Sequence, residues 1–249
     1  MRQSSRCAQD ERSVSVNLRS FAALVAALLL SACASTGGRV NADPLEPFNR
    51  TMYAIHEPLD ENVVKPVAQA YLDYTPSPLR TAIHNFFGNI EDFFSGVNGL
   101  LQGKLDKAGH DFGRVMVNTG FGVLGLIDIA SDADIPRGGE DFGQTFGHWG
   151  IAQGPYLFIP LIGPSSFRDG SGLLVRIAAS PVLYIPAWEV RTVLEILGPI
   201  DLRASLIGTT SLVEQAALDR YTFIRRSYLQ RRQYEVYDGQ PPPVKDEDD

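Results

Sequence analysis

The chain has 249 residues, with 22 Lys and Arg against 29 Asp and Glu for a net charge of −7 with histidine neutral, and 44% of it is apolar. The acidic balance repels nucleic acid and anionic headgroups at long range, and the apolar content excludes a disordered chain. Four basic and two acidic residues fall within the first 32, so the remainder carries 18 Lys and Arg against 27 Asp and Glu, a net of −9.

At the N-terminus, Arg2, Arg6, Arg12 and Arg19 precede the apolar run Phe21 to Leu30, and Leu30-Ser31-Ala32-Cys33 follows it. A basic region, a short apolar stretch and small residues before the cleavage point form a secretory signal. Cysteine at that point specifies a bacterial lipoprotein: residues 1–32 are predicted to be removed, leaving Cys33 as the acylated first residue. The run is too short to span a bilayer. Asp10 and Glu11 lengthen the basic region, which suits a start at Val14 or Val16. Cys7 leaves with the leader and Cys33 takes lipid, so no disulfide or cysteine metal site is expected in the mature domain. Two or three acyl chains anchor nearly permanently. Ala34, which is not an Asp retention signal, points to the outer membrane, on its periplasmic face.

A Ser/Thr/Gly linker over 33–42 leads into a domain expected over 43–237. Asp43-Pro44-Leu45-Glu46 has the form of a helix start, with Asp43 as cap and Pro44 in the first turn, followed by Phe48, Met52 and Ile55 on one face. Helical spacing continues through Glu61 to Tyr71, then from a Ser77-Pro78 start through Phe87. Asp92 to Leu101 carries Phe93, Val97 and Leu100, and Lys104 to Asn118 carries Leu105, Phe112, Val115 and Met116. Further helices are predicted from Ser165, over Trp188 to Leu197, over Asp201 to Ile207, and from Ser211 to about Tyr237. Strand-like alternation is largely missing, so the predicted fold is all-α. The Pro-rich, acidic segment 238–249 reads as a solvated, disordered tail.

Between Ile135 and Pro164 the composition shifts to Gly and Pro interleaved with aromatic and aliphatic residues. Two readings fit: a buried connector or hairpin packed on the helices, or an irregular element at membrane depth, tolerated only when packed in protein or lining a water-filled cavity. Trp149, Tyr156, Tyr184 and Trp188 would suit a membrane interface.

Motifs for chemistry are few. Gly120-Phe121-Gly122-Val123-Leu124-Gly125 spells a dinucleotide fingerprint, but no βαβ units surround it, and a Gly-rich turn between helices explains it better. Asp128, Asp132 and Asp134 resemble part of a Ca²⁺ loop, yet Pro136 takes the third ligand position, and solvated turn carboxylates are expected instead. No Gly-x-Ser-x-Gly elbow occurs, and the four histidines lack metal-site spacing. His148 with Asp141 and Ser165 or Ser166 could be imagined as a hydrolytic triad; a structural histidine is the plainer account. Arg225-Arg226 and Arg231-Arg232 are expected on a solvated helix face. No catalytic residue, metal or cofactor is predicted.

Several blocks together resemble the MlaA (VacJ) family of phospholipid-binding outer-membrane lipoproteins. They are Asp43-Pro44-Leu45-Glu46 with Phe48-Asn49-Arg50, then Asn85-Phe86 with Asn89, Arg114 with Asn118-Thr119, and Gly125-x-x-Asp128. The most specific is Glu140-Asp141-Phe142-Gly143-Gln144-Thr145-Phe146-Gly147-His148-Trp149-Gly150, continued by Gly154-Pro155-Tyr156, Pro160, Gly163-Pro164-Ser165 and Arg168-Asp169, and closed by Tyr228-x-Gln230-Arg231. The resemblance implies a helical ring in the inner leaflet of the outer membrane, around an amphipathic channel. Such a protein removes mislocalised phospholipids from the outer leaflet and hands them to a soluble periplasmic carrier, in company with a trimeric porin and without covalent chemistry. Phe48 and Asn49 are then candidate gating residues. Phe142, Phe146, His148, Trp149, Tyr156, Phe158, Pro160 and Ile162 are candidate channel residues. The alternatives are a periplasmic phospholipase or esterase, or a non-catalytic scaffold.

Overall fold

The computed structural model describes residues 43–216 and 219–242, with 209–216 as backbone only. The predicted leader, the lipidation site Cys33, the linker to Ala42 and the end of the tail lie outside the described residues. From Leu45 onward the chain is mostly helical, in the order α1 (Glu46–Leu59), a π-helical turn (Asp60–Val64), α2 (Lys65–Tyr74), α3 (Ser77–Leu101), α4 (Leu105–Gly120), α5 (Ile129–Asp132), α6 (Phe142–His148), β1 (Tyr156–Ile159), β2 (Gly163–Ser166), α7 (Phe167–Ala178), a 3₁₀ turn (Pro181–Tyr184), α8 (Trp188–Ala216) and α9 (Arg220–Val236). The helical expectation holds, with one addition: β1 and β2 pair antiparallel from Tyr156↔Ser166 to Ile159↔Gly163, the hairpin that the Gly/Pro segment allowed.

Several boundaries differ from the predicted ones. Helix α1 is capped at Leu45, not Asp43, and Pro47 takes the early helical position predicted for Pro44. Pro58 cannot donate within α1; its carbonyl accepts from the Asn62 side chain at 2.8 Å, and the π-helical turn follows. The two helices predicted over 77–101 are one, because Gly88 to Glu91 keeps helical geometry. Likewise α8 runs on through Gly198-Pro199. The last helix, by contrast, starts at Arg220: Asp219 caps it, accepting from the Thr222 amide at 3.1 Å. Helix α9 ends in a left-handed Asp238 (φ 50°), with the Gly239 amide donating to Tyr234 O at 2.9 Å. Asp238 also accepts from Lys104 at 2.7 Å and Lys107 at 2.6 Å, so the predicted tail begins as a held residue.

Helices α3 and α4 pack closely because α3 presents glycine there. A Cβ on Gly99 would lie 3.1 Å from the Ala108 backbone nitrogen, and one on Gly96 would lie 3.0 Å from the Phe112 ring. The apolar core is small and aromatic: Tyr156 and Phe158 of β1 meet Tyr221 and Tyr228 of α9, with Met52 and Tyr53 of α1 against them. The rings are about 6 Å apart in edge-to-face contacts, for example 5.9 Å between Tyr156 and Tyr228.

Candidate functional site

The distribution of side chains is inverted relative to a water-soluble domain. Among the described residues, the largest side chains that are fully buried are Arg114, Asn49, Asn98, Thr145, Asp111 and Ser166; none is aliphatic or aromatic. Outside, Met116 is 73% exposed, Phe121 78% and Leu174 68%. Of the apolar positions named on α3 and α4, Phe93, Leu100, Leu105 and Met116 are exposed, while Val97, Phe112 and Val115 are half-buried. The buried polar residues of α3 are Asp92, Ser95 and Asn98, continued by Gln102 just past its end, and those of α4 are Asp111, Arg114 and Asn118. Both sets recur at helical spacing, so the polar face was legible as a period. Which face is buried depends on the surroundings. No helix among the described residues is long and apolar enough to cross a membrane.

Within this arrangement lies a cavity of about 680 Å³. Phe87 and Ile90 of α3, Leu173 and Ile177 of α7, Val182 and Leu183 of the 3₁₀ turn, and Leu194 and Leu202 of α8 are its apolar lining. Its polar lining, on the same helices and the loop before α6, is His84, Glu91, Asp92, Ser95, Arg137, Glu140, Asp141, Arg176, Glu195 and Asp201. A smaller cavity of about 260 Å³ adjoins it and shares His84 and Asp201. There the Asp201 carboxylate accepts from the Tyr71 hydroxyl and lies against His84 Nδ1, both at 2.9 Å.

Networks behind the wall hold its polar groups in place. Arg114, 1% exposed, donates to Asp92 at 2.9 Å, to Asp128 at 2.8 Å and to the Ile135 carbonyl at 2.7 Å. Asp128 is thus not a solvated turn carboxylate: it caps α5 and closes on Arg114. Burial opposes its ionisation, but Ser131, Asn118 and Arg114 outweigh that and hold its pKa down to about 2. The loop over 138–140 is sewn to the α3–α4 pair: the Gly138 amide and the Ser95 hydroxyl both donate to Asp111, at 2.7 and 2.5 Å, and the Glu140 amide donates to Ser95 at 2.8 Å. Glu140 then accepts from Lys104, Lys107 and Gln102 at 2.6–3.0 Å.

A second network ties α6, α7 and α9. Arg232 donates to Asp141 at 2.6 Å and to Asp169 at 3.1 Å, and Tyr228 donates to Asp169 at 2.5 Å. Burial disfavours the charged Asp169, yet Arg232, Tyr228 and Arg168 prevail and set its pKa near 2. Arg225 and Arg232 are therefore buried, contrary to the solvated face predicted for them, while Arg226 and Arg231 are exposed.

Groups imagined as a hydrolytic triad are engaged elsewhere. Asp141 caps α6 and meets Arg232, Ser166 caps α7, Ser165 donates to Ser166 O, and His148 is exposed at the end of α6.

The structure disperses the predicted channel residues. Among the described residues, none of Phe142, Phe146, His148, Trp149, Tyr156, Phe158, Pro160 and Ile162 lines the 680 Å³ cavity. Phe142 packs on Phe94, Phe146 on Trp149, and the Trp149 indole donates to Leu101 O at 3.0 Å. Tyr156 and Phe158 belong to the aromatic core, and Ile162 is exposed in the hairpin turn beside Pro160. The segment reaches the cavity through Gly139, Glu140 and Asp141 instead. Of the predicted gating pair, Phe48 is 48% exposed, whereas Asn49 is fully buried. The Asn49 amide donates to Tyr156 O and its carbonyl accepts from the Phe158 amide, both at 2.9 Å, so it pairs with β1 as a neighbouring strand would.

The chain matches the family model for the MlaA lipoprotein over residues 41–235. It is 37% identical over 236 residues to the intermembrane phospholipid transport system lipoprotein MlaA of Shigella flexneri, and 36% identical to that of Escherichia coli K12, covering 92% of both chains in each case. The Haemophilus influenzae counterpart is 31% identical, with 87% of this chain and 90% of that one covered. A solved structure from work on the structural basis for maintenance of bacterial outer membrane lipid asymmetry superposes with a TM-score of 0.69 at 34% identity, over 79% of this chain and 100% of that one. By extent of match and by shared fold, this chain belongs to the MlaA lipoprotein family.

Proposed function

We propose that this protein is a lipoprotein of the outer membrane that moves mislocalised phospholipids out of the outer leaflet and passes them to a soluble periplasmic carrier, maintaining lipid asymmetry. The observation that carries the reading is a cavity lined by both apolar and charged side chains, in a domain that exposes many large apolar residues. Acyl chains follow Leu173, Ile177 and Leu194, while the headgroup stays among the carboxylates and guanidiniums of the lining. The cost of taking a phosphate through hydrocarbon is thereby avoided. Lipidation at Cys33, an inner-leaflet position and a trimeric porin as neighbour belong to the same proposal, as does the absence of any covalent step. The relatives' shared name as a phospholipid transport system lipoprotein supports it.

Phe48 and Asn49 retain a gating role in this proposal, at the joint between α1 and the hairpin. Deleting both turns the start of α1 by about 200° relative to the remainder of the helix, at about 100° per residue, and removes the two hydrogen bonds to β1. The expected outcome is an altered level of phospholipid in the outer leaflet, measured in intact cells; an unchanged outer leaflet would overturn the gating role.

The function itself is tested by reconstituting the acylated protein in asymmetric vesicles with deuterated phospholipid in one leaflet. Intact label should leave that leaflet only when the protein is present. Conversion to lysolipid and fatty acid would instead identify a phospholipase.

A further inference from the structure

The charges of the cavity wall are ordered in depth. Asp92, Glu140 and Asp141 line the cavity, but their cationic partners Arg114, Lys104, Lys107 and Arg232 are absent from its described lining. Of these pairs Asp141–Arg232 presents its negative end, with the Asp141 side chain 50% exposed and Arg232 6%, whereas Asp92 and Glu140 are buried with their partners; Glu91 and Glu195 are the other exposed carboxylates of the lining. Among the described residues, only two guanidiniums belong to the wall itself. Arg137, with a side chain 45% exposed, lies across Gly88 with Nη2 3.3 Å from where a Cβ would stand, and meets Asp92 and Asp128 at 3.3 and 3.2 Å. Arg176 donates to Glu91 at 2.6 Å and covers the Phe94 ring at 4.0 Å. Glu195 adds a carboxylate whose paired cation, Arg191, is 3.9 Å away, beyond hydrogen-bond reach.

We infer that this wall selects phospholipids whose headgroup joins the phosphate to a primary ammonium over headgroups with net negative charge. The inference rests on the passage reading above and names the lipid class that the passage favours. The phosphate docks on Arg137 and Arg176, and the ammonium, with three donors and no acceptor, meets Glu91 and Glu195. A headgroup without the ammonium brings the same phosphate to the guanidiniums but no cation to Glu91 and Glu195, so their charges stay uncompensated and repel its net negative charge across a medium less polarisable than water.

The test incubates the acylated protein with vesicles of equimolar phosphatidylethanolamine and phosphatidylglycerol. The complex is then exchanged into a detergent that strips surface lipid, and the retained lipid is identified by mass spectrometry. Wild type should retain the ammonium-bearing lipid in about fivefold excess, equivalent to ~1 kcal/mol at 1.4 kcal/mol per tenfold. Glu91→Gln combined with Glu195→Gln should bring the ratio toward one by lowering retention of the ammonium-bearing lipid while the anionic lipid is retained at least as well; Glu195→Gln alone should move the ratio part of the way. An equal or inverted ratio in wild type, or an unaltered ratio in both variants, would overturn the selectivity and leave the passage intact. Retention of neither lipid would overturn the passage, and the selectivity with it.

Discussion

Asn49 illustrates how a single polar side chain here fills the structural role that apolar residues fill elsewhere. Both ends of its amide are spent on the β1 backbone, in a site closed to solvent. Asn49→Ala would leave a buried N–H and a buried C=O without partners, at a cost of about 2–4 kcal/mol, read as a shift in denaturant midpoint of the detergent-solubilised protein. Asn49→Asp should be at least as damaging, because a carboxylate cannot donate to Tyr156 O. At Asp169 the prediction concerns pH. Its folded pKa lies near 2, below the ordinary carboxylate value, so the folded state binds its proton less readily than the unfolded chain does. The stabilisation, about 2 kcal/mol, is present above pH ~4 and disappears as pH falls toward ~2. Asp169→Asn should be less stable at neutral pH and should flatten the acid limb of the stability curve; an unchanged limb would place the acid sensitivity in another carboxylate.

At the scale of elements, the turn between α4 and α5 shows what a motif means once it is folded. The six residues that spell a dinucleotide fingerprint form a tight turn with Val123 and Leu124 both in left-handed backbone, at φ 53° and 58°. Such conformations are costly for bulky residues and persist only where their surroundings enforce them. Gly122 supplies that enforcement: a Cβ there would stand 2.1 Å from Ile127 O and 2.5 Å from Asn118 O, and its carbonyl accepts from the Ile127 amide at 2.9 Å. Gly122→Ala should destabilise the domain by about 2 kcal/mol and speed hydrogen exchange at the Ile127 amide, with little change at α9. The start at Ser77 and the helix predicted over Lys104 to Asn118 were readable because period and punctuation agreed there. The junctions at Leu45 and Asp219 were not, since a cap depends on which of several eligible residues the tertiary contacts bring into position; Asp219 is held by Arg50 of α1, 169 residues away in sequence, at 2.8 Å.

At the scale of the described domain, the governing fact is that, apart from a small aromatic core, many large apolar residues are exposed while guanidiniums, carboxylates and amides are buried. The exposed flank of α8, with Trp188, Val193 and Ile196 at 56–63% exposure, predicts an unusual mutational response. Val193→Lys should change unfolding in detergent by no more than about 0.5 kcal/mol, yet weaken binding to phospholipid vesicles, since a lysine placed in hydrocarbon costs about 2.5–3.5 kcal/mol. Unaltered vesicle binding would remove this flank from the membrane contact. The buried networks carry the opposite liability. Removing one member of the Arg114 or Arg232 cluster strands a buried charge, and such losses are commonly about 3–5 kcal/mol.

The periodicity of the helices, the scarcity of strands and the family blocks around Glu140 to Gly150 were all written in the amino-acid order. These are local properties, carried by spacing, caps and contiguous motifs. The same spacing contained the polar faces of α3 and α4 beside the apolar ones. Periodicity states that a helix has two faces but not which of them meets the protein interior. That choice was made in three dimensions, because burial depends on what each face packs against and on the medium outside. Long-range packing also chose the residues that line the cavity: Phe87 of α3 meets Leu173 and Arg176 of α7 and Leu194 of α8, which lie far beyond it in sequence, whereas Tyr156 and Phe158, from the segment whose composition suggested a channel, are held in the aromatic core by Asn49 and α9.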